Sequence, residues 1–511
     1  MGVTGRRRDT RWTAFGVCAA VAVLTILDIA KVNVTLGPIQ HTLGATSSDI
    51  QLIVAGYVLA YGIALVPAGR LGDVWNRRAL FLIGLVAFLA ASLVCALAVS
   101  THMLIVGRLL QGVAAGILMP QVLGLVQQLF RGPERGRAFG VFGAAIGVGT
   151  AFGPTIGGLL IGAFGDELGW RWTFGMNVPL AIVLLGFAYW LTPRDQVRRP
   201  GQQLDLVGTS LLALAVTSFM LPFVLTTGGD DDHPARWGFL ALGAALVAAF
   251  LWWERRYLAA GKTPVVDLNT FRLPSYRYGV IIVTLFFAAM PPVFLLQTLF
   301  LMNGLGHEAV VAGLTSVPYA IVSAIAAAAL GRYSHRFGAT LVTIGTTVYF
   351  AGLIGLLVCT QFVSRDLMPV ALATVFAVSG AGAGAFMGSN QARMLKHIPV
   401  TQAGIAGSFS QVGQRIGNAI GVAIATSIYY SVSASTGNHT GAAREAVGAG
   451  LIYALGVVVI ALVFVIIDNI GAVRRAGTDT AAVQITDRAL LGDAGHSTPT
   501  GGIEVQPEPK D

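Results

Sequence analysis

The chain has 511 residues, of which 55% are hydrophobic and only 11% carry a charged side chain. Soluble globular proteins average about 25% charged residues, so this chain has too few charges to cover a surface that faces water. We therefore expect lipid to surround most of it. The net charge of +9 does not indicate nucleic-acid binding, because the basic residues lie in short loops between apolar stretches. The three cysteines form no disulfide or metal-ligand pattern.

Apolar stretches long enough to cross a membrane, about 20 residues each, recur along the whole chain. Fourteen spans are predicted, at 14–36, 50–68, 79–99, 103–127, 138–162, 172–192, 206–226, 237–253, 278–301, 309–330, 338–360, 367–390, 404–430 and 448–469. Almost all basic loop residues fall on one side of these spans, and the other side holds only Arg171, Arg236, Arg365 and Arg444. By the positive-inside rule, both termini are predicted to be cytoplasmic and the protein to lie in the cell (inner or plasma) membrane.

Glycines recur at corresponding positions in the two ends of the chain. Gly112 and Gly116 recur as Gly380 and Gly384; Gly149, Gly153 and Gly157 recur as Gly413, Gly417 and Gly421; Gly69 recurs as Gly331. The repeat predicts six-helix halves at 14–195 and 278–470, with two inserted transmembrane helices and their linkers at 196–277. Residues 1–13 form a cytoplasmic N-terminal segment, and 471–511 are predicted to be a disordered cytoplasmic tail. The predicted fold is an all-α polytopic membrane protein, and repeated halves with a site between them are typical of alternating-access transporters.

Two charged residues, Asp28 and Lys31, lie deep in the first span. A charge in the hydrocarbon core costs about 3 kcal/mol or more, so it needs a partner, water or a function. Arg108 of the fourth span is placed roughly 8 Å from the outer surface and Asp28 roughly 12 Å, at 1.5 Å per helical residue, so the two can meet. A proton-coupling role for Asp28, Arg108 and Lys31 competes with a static ion pair, and with neutralisation of Asp28 by Lys31 one turn away.

The loop after the second span carries a conspicuous group of residues, Gly69, Asp73, Arg77 and Arg78. Gly69 permits close helix approach, Asp73 can accept hydrogen bonds from a helix N-terminus or an arginine across the half-to-half interface, and the arginines can anchor at lipid headgroups. We interpret the group as a gate between the halves, with membrane anchoring as the alternative.

The fifth span presents a glycine face with one proline. Its members are Gly140, Gly149, Gly153, Pro154, Gly157 and Gly158. Such a face permits close packing and bending against a partner helix.

Scattered polar and aromatic residues are candidates for a substrate pocket between the halves. They are Asn33, Tyr57, Tyr61, Gln111, Phe286, Phe287, Met290, Phe294, Gln297, Phe386 and Arg415. Arg415 lies deep in the thirteenth span, and spans nine to fourteen offer it no deep acidic partner. A hydrated cavity, an anionic substrate group or a structural link to the first half are the alternatives for it. For the others, simple packing or lipid contact is the alternative.

These motifs together resemble those of the major facilitator superfamily, and in particular its fourteen-helix drug:proton antiporters. The Gly69–Arg78 loop is similar to G-x-L-A-D-R-x-G-R-R/K, with Val74 in place of Arg and Asn76 in place of Gly. The fifth span resembles the antiporter signature without departure, and Arg108 lies in a sequence that resembles the basic fourth-helix motif. The first span resembles L-D-x-T-V-V-N-V-A-L-P, and Lys31 replaces a residue that is usually apolar.

The resemblance implies a proton-coupled secondary exporter of hydrophobic or amphipathic small molecules that works by alternating access. Within transport, a lipid or glycolipid exporter or an uptake permease is the alternative. A membrane enzyme or a sensor is disfavoured, since neither clustered catalytic residues nor a soluble domain is present in the sequence. The expected partners are the small-molecule substrate, protons and the bilayer, with no nucleic acid, metal or cofactor, and a monomer is expected.

Overall fold

The computed structural model describes residues 2–193, 205–225, 234–262, 264–266, 268–436 and 440–493. Those residues are overwhelmingly helical and contain no β-strand. Thirteen stretches of this described chain are long and apolar enough to cross a membrane. One of them, Gly132–Leu191, spans 60 residues and includes both the fifth and the sixth predicted span. The all-α polytopic prediction is therefore confirmed.

The helices follow the predicted order of half, insertion and half. The first half contains α1 (Gly2–Val32), α2 (Leu36–Leu43), α3 (Ser47–Val74), α4 (Arg77–Ala96), α5 (Thr101–Leu129), α6 (Gly132–Gly175) and α7 (Asn177–Leu191). The insertion contains α8 (Leu206–Val224) and α9 (Gly238–Ala259). The second half contains α10 (Pro274–Leu299), α11 (Ala309–Leu314), α12 (Val317–Gly331), α13 (Ser334–Phe362), α14 (Met368–Met394), α15 (Ala403–Thr436) and α16 (Thr440–Asp493).

Three helix boundaries differ from the sequence-based prediction. The first span is predicted at 14–36, but α1 ends at Val32 and a turn separates it from α2. Helix α6 is interrupted at Gly165, whose φ of 72° lies in the left-handed region that favours glycine. Helix α16 continues beyond the predicted end of the last span, to Asp493, and the disorder of the tail stays a prediction. Residues 494–511 of the predicted tail lie outside the described residues.

The repeated glycines perform the same packing in each half. Gly112 and Gly116 of α5 lie against the backbone of α3, where an added Cβ would meet carbonyl oxygens. Their counterparts Gly380 and Gly384 of α14 lie in the same way against the backbone of α12. Small residues at these positions let helix backbones approach closely, which is how transmembrane helices associate in the absence of a hydrophobic driving force. The internal repeat read from the sequence is thus a repeat of helix packing.

The inserted helices pack beside the bundle where the two halves meet. Helix α8 contacts α3 of the first half and α15 of the second, and α9 packs on α8. A Cβ added to Gly62 of α3 would lie 2.9 Å from Met220 Sδ of α8, so that contact is close. The insertion therefore touches both halves at one of the two seams between them.

Candidate functional site

Four helices of the first half bring polar side chains together in one buried cluster. Helix α1 provides Asp28 and Lys31, α5 provides Arg108 and Gln111, α7 provides Asn177 and α4 provides Ser92. Each of these side chains is at most 1% exposed. We call these six residues the charge cluster.

The Asp28 carboxylate is bound by donors from three helices. Arg108 Nη1 lies 2.7 Å from Oδ2, and Asn177 Nδ2 donates to Oδ1 at 2.6 Å. Lys31 Nζ lies 3.3 Å from Oδ1. The predicted meeting of Asp28 and Arg108 is therefore confirmed, and the i,i+3 approach of Lys31 occurs as well. A carboxylate held by charged donors in this way has the strong hydrogen bonds that buried charges require.

Lys31 bridges the carboxylate and the asparagine. Its Nζ donates to Asn177 Oδ1 at 2.6 Å while remaining in ion-pair range of Asp28. Asn177 thus accepts from Lys31 through its oxygen and donates to Asp28 through its nitrogen. One amide holds both charged groups in place.

The guanidinium of Arg108 is fixed on several sides. Its Nε donates to the carbonyl oxygen of Ile53 at 3.1 Å, and Nη1 donates to Gln111 Oε1 at 2.9 Å. Its Cζ lies 4.2 Å from the ring centroid of Tyr57, a cation–π geometry. Of the residues that the sequence suggested for a pocket, Gln111 therefore belongs to the charge cluster and Tyr57 contacts it.

The sequence-based prediction missed Asn177 and Ser92. Asn177 begins α7, and Ser92 Oγ accepts from Gln111 Nε2 at 2.8 Å. Asn177 could have been suspected from the sequence, because an amide inside an apolar span needs a hydrogen-bond partner there, as a charge does.

The glycine face of α6 packs directly on the segment of α1 that carries the charges. A Cβ added to Gly153 would lie 2.9 Å from Lys31 N, and one added to Gly157 would lie 2.9 Å from Lys31 O. Gly149 lies one turn earlier against Val23 and Ile26. Gly158 points elsewhere, with nothing within 4 Å of its Cβ position. Pro154 is accommodated inside α6. The predicted partner-helix packing thus occurs, and the partner is α1.

Asp73 links the two halves at the end of the bundle where α3 passes into α4, which we call the gate end. Its carboxylate accepts from Gly404 N at 3.1 Å and Ile405 N at 3.0 Å, in the first turn of α15. The first N–H groups of a helix lack intrahelical partners and carry partial positive charge. Asp73 in the first half therefore caps a helix of the second half, as the sequence suggested.

Arg77 supports the same junction. Its Nη2 lies 2.6 Å from Asp73 Oδ1 and donates to the carbonyl oxygen of Val400, also at 2.6 Å. Arg78, by contrast, stays within the first half, where its Nη2 donates to the carbonyl oxygen of Tyr189 at 2.6 Å. The two adjacent arginines therefore have different partners.

Glycines form much of the remaining contact at the gate end. A Cβ added to Gly69 would lie 3.1 Å from Gly404 O. On the other seam, a Cβ at Gly140 of α6 would lie 2.8 Å from Gly331 Cα, and one at Gly388 would lie 2.5 Å from Gly140 Cα. We call Gly140, Gly331 and Gly388 the glycine seam. There the halves touch backbone to backbone.

Arg415 connects the halves further from the gate end. It is 5% exposed, and its Cζ lies 4.2 Å from the ring centroid of Tyr61 on α3. Among the described residues it forms no ion pair, and its Nε has no hydrogen-bond partner. Of the three alternatives for Arg415, the link to the first half is the one with a visible contact.

The remaining pocket candidates are not gathered at one surface. Phe286 stacks on Phe386 with ring centroids 4.1 Å apart, within the core of the second half. In that same core are Phe287 and Met290, with Phe294 against its edge. Gln297 donates to the carbonyl oxygen of Ala312 at 3.1 Å. Asn33 is exposed in the turn between α1 and α2. Their predicted role in substrate binding stays a prediction.

The insertion carries a second polar group that the sequence did not single out. Asp205 caps α8 through Gly208 N at 2.9 Å and accepts from Trp253 Nε1, also at 2.9 Å. Glu254, which is 1% exposed, accepts from Val265 N at 3.0 Å. Both carboxylates lie close enough to Arg70 of α3 to interact with it electrostatically.

The described chain is a polytopic bundle of membrane-spanning helices, with a charge cluster buried in its first half. Residues 18–422 match the family model of the Major Facilitator Superfamily. The chain belongs to this superfamily and is a multi-pass membrane transporter.

Several curated proteins of similar sequence are named as transporters or resistance proteins. The chain is 32% identical over 410 residues to the "Probable actinorhodin transporter" of Streptomyces coelicolor, covering 80% of this chain and 70% of that protein. It is 31% identical over 410 residues to the puromycin resistance protein pur8 of Streptomyces alboniger, covering 79% of each. It is 30% identical over 397 residues to the multidrug resistance protein Stp of Mycobacterium tuberculosis, covering 77% of this chain and 71% of the relative.

Solved structures show the same fold at low sequence identity. The human organic anion transporter MFSD10 superposes with a TM-score of 0.60 at 15% identity, covering 90% of this chain and 99% of the other. The proton:xylose symporter XylE gives a TM-score of 0.60 at 15% identity, with coverage of 88% and 95%.

Proposed function

We propose that this protein is a proton-coupled antiporter that exports hydrophobic or amphipathic small molecules, such as drugs or secondary metabolites. The observation that carries the proposal is the charge cluster, in which Asp28, Arg108 and Lys31 meet inside an apolar helix bundle at no more than 1% exposure. Ionisable groups within a membrane are expensive and typically mark an ion or proton pathway. The relatives named for actinorhodin, puromycin and multidrug resistance support export as the direction.

The position of the cluster next to the glycine face suggests how proton and substrate movement are connected. Helix α6 touches α1 along Gly149, Gly153 and Gly157, and the same helix touches the second half at Gly140. A change of charge on α1 alters the helix that packs against α6, and α6 is one of the surfaces that separate when the halves rock. The site and the seam thus contact the same helix.

The gate-end contacts support an assignment of the closed side. Asp73 caps α15, Arg77 donates to Val400, and the glycine seam brings the backbones together. With the predicted orientation, this end faces the cytoplasm. We assign the conformation to the stage of the cycle in which the cytoplasmic side is sealed. In this stage substrate is released on the outer side, while the charge cluster itself is buried.

The test is transport by purified protein in liposomes with an imposed pH gradient. Substrates come from a drug panel that the protein exports from a pump-deficient host in a protonophore-sensitive way. Asp28→Asn should reduce gradient-driven efflux at least tenfold, because it removes the anion that both cations share. Lys262→Arg, on the exposed segment after α9, is the control. Unchanged efflux by Asp28→Asn would exclude the charge cluster as the coupling site. If the protein instead exports lipids or takes up solutes, counterflow occurs with lipids or with those solutes and does not occur with drugs.

A further inference from the structure

The charge cluster contains one more cation than anion. Asp28 contributes −1, and Arg108 and protonated Lys31 contribute +1 each, which gives a net charge of +1. The three ionisable side chains are at most 1% exposed, so water does not offset the imbalance. Burial of an unbalanced charge is costly and is usually relieved by a change in protonation. The question is which group changes.

The hydrogen bonds of Lys31 are those that a neutral amine can satisfy. A lysine ammonium brings three N–H donors, whereas an uncharged amine brings two. Among the described residues, Nζ donates one hydrogen bond, to Asn177 Oδ1 at 2.6 Å, and lies in ion-pair range of Asp28 Oδ1 at 3.3 Å. An ammonium in this position has three N–H donors for these two oxygens, whereas a neutral amine has two.

The two possible proton movements change the cluster in opposite directions. Protonation of Asp28 would raise the net charge from +1 to +2 and would place a neutral acid between two cations. Loss of a proton from Lys31 lowers the net charge from +1 to 0 and leaves the Asp28–Arg108 pair intact. Arg108 does not take part, because a guanidinium is effectively always protonated. The lysine ammonium, by contrast, readily loses its proton when buried.

No neighbouring group supplies a better candidate for the exchanging proton. The groups that face Lys31 and Asp28 are Arg108 and Gln111 from α5, Asn177 from α7, Ser92 and Cys95 from α4 and Tyr57 from α3. Helix α6 presents Gly153 and Gly157 to the backbone of Lys31. The Tyr57 hydroxyl already donates to the carbonyl oxygen of Thr25 at 3.4 Å.

We propose that Lys31 is the residue that carries the exchanged proton in this transporter, and that Asp28 stays ionised throughout as its fixed counterion. The step is a simple acid–base exchange. The ammonium releases one proton to water on one side of the membrane and keeps the lone pair, and the amine regains a proton from water on the other side. Asn177 holds Nζ in place in both forms. This inference rests on the proposed proton coupling and names the group that performs it.

Lys31→Arg tests the inference because it keeps the positive charge and removes the ability to lose a proton. The measurement is the number of protons moved per substrate molecule in liposomes, from a pH-sensitive dye and substrate counts. Lys262→Arg controls for the lysine-to-arginine change itself. If Lys31 carries the proton, the ratio for Lys31→Arg falls at least tenfold while substrate counterflow remains detectable. A ratio within twofold of the unmodified protein would overturn the inference.

A second measurement on the unmodified protein keeps the test decisive where Lys31→Arg does not transport at all. Infrared difference spectra recorded across the working pH range report the carbonyl stretch of any carboxylic acid that forms. No band attributable to Asp28 is expected. A band that disappears in Asp28→Asn would refute the role of Lys31. The proposed function fails in a different way, namely if the unmodified protein moves substrate without protons.

Discussion

Replacement of Asp73 by asparagine should loosen the gate end by an amount that follows from its contacts. The carboxylate accepts from two helix N–H groups and pairs with Arg77, and Asp73 and Arg77 are each 1% exposed. Asparagine keeps one acceptor oxygen, turns an N–H₂ group toward existing donors and removes the charge. A charged hydrogen bond contributes about 1.5–3 kcal/mol, and the helix-terminus charge adds about 0.3–1 kcal/mol. We therefore expect a loss of about 2–4 kcal/mol.

That loss corresponds to a roughly 30- to 1,000-fold change in the ratio of sealed to open molecules, at 1.4 kcal/mol per tenfold. The ratio can be measured from spin-label distances between exposed positions on opposite halves. Arg131 and His335 are suitable, since both are exposed near the gate end. The labels would be attached to Arg131→Cys and His335→Cys in a background without the native cysteines. Asp73→Asn should shift the distance distribution from short to long.

The control for this experiment is Arg78→Gln. Arg78 lies five residues from Asp73, but its hydrogen bonds go to Tyr189 and Thr192 within the first half. It should therefore leave the distance distribution unchanged. If Asp73→Asn leaves the ratio of sealed to open molecules within twofold, the carboxylate does not hold the gate end, and the assigned role of the α15 cap is wrong.

Two further substitutions test the packing of the site and the insertion. Gly153→Ala should lower the melting temperature and slow efflux, because the added Cβ would lie 2.9 Å from Lys31 N. Gly158→Ala should affect neither quantity, since nothing lies within 4 Å of its Cβ position. Equal effects of the two substitutions would contradict the specific contact with α1. Asp205→Ala should reduce stability to thermal unfolding by about 0.5–2 kcal/mol through the lost helix cap, with a further loss from the hydrogen bond of Trp253 Nε1. Trp253→Phe should reproduce only the loss of that hydrogen bond. No change in melting for Asp205→Ala would exclude the cap as a stabilising element.

Much of the architecture follows from physics that acts along the sequence. Apolar stretches must be helical in lipid because their backbone groups have no other partners, so the spans could be predicted one at a time. Depth along a helix is a simple function of residue count, and this is why the contact of Asp28 with Arg108 could be predicted from the amino-acid sequence alone. The spacing of Gly149, Gly153 and Gly157 predicted a close-packing face because residues four apart lie on the same side of a helix.

What the sequence did not reveal depends on how helices are arranged around one another. The glycine face identified α6 as closely packed, but nothing in its spacing named α1 as the partner. Asn177 lies far from Asp28 in sequence and carries no charge, so only the fold brings it into the cluster. Arg415 lacked a deep acidic partner in the second half, and its actual neighbour is the ring of Tyr61 in the first half. The place of α8 against both α3 and α15 is likewise a tertiary outcome.

The glycine seam has a consequence for how fast the halves can part. Side chains that interdigitate at an interface must choose new rotamers when it opens and recover the old ones when it closes, and each such ordering costs about 0.5–2 kcal/mol for a long side chain. Gly140, Gly331 and Gly388 have no rotamers to reorder. In the proposed alternating-access cycle, opening and closing at these three positions requires movement of the helices without reordering of side chains there. A transporter that must cycle many times is well suited to a joint with no moving side chains of its own.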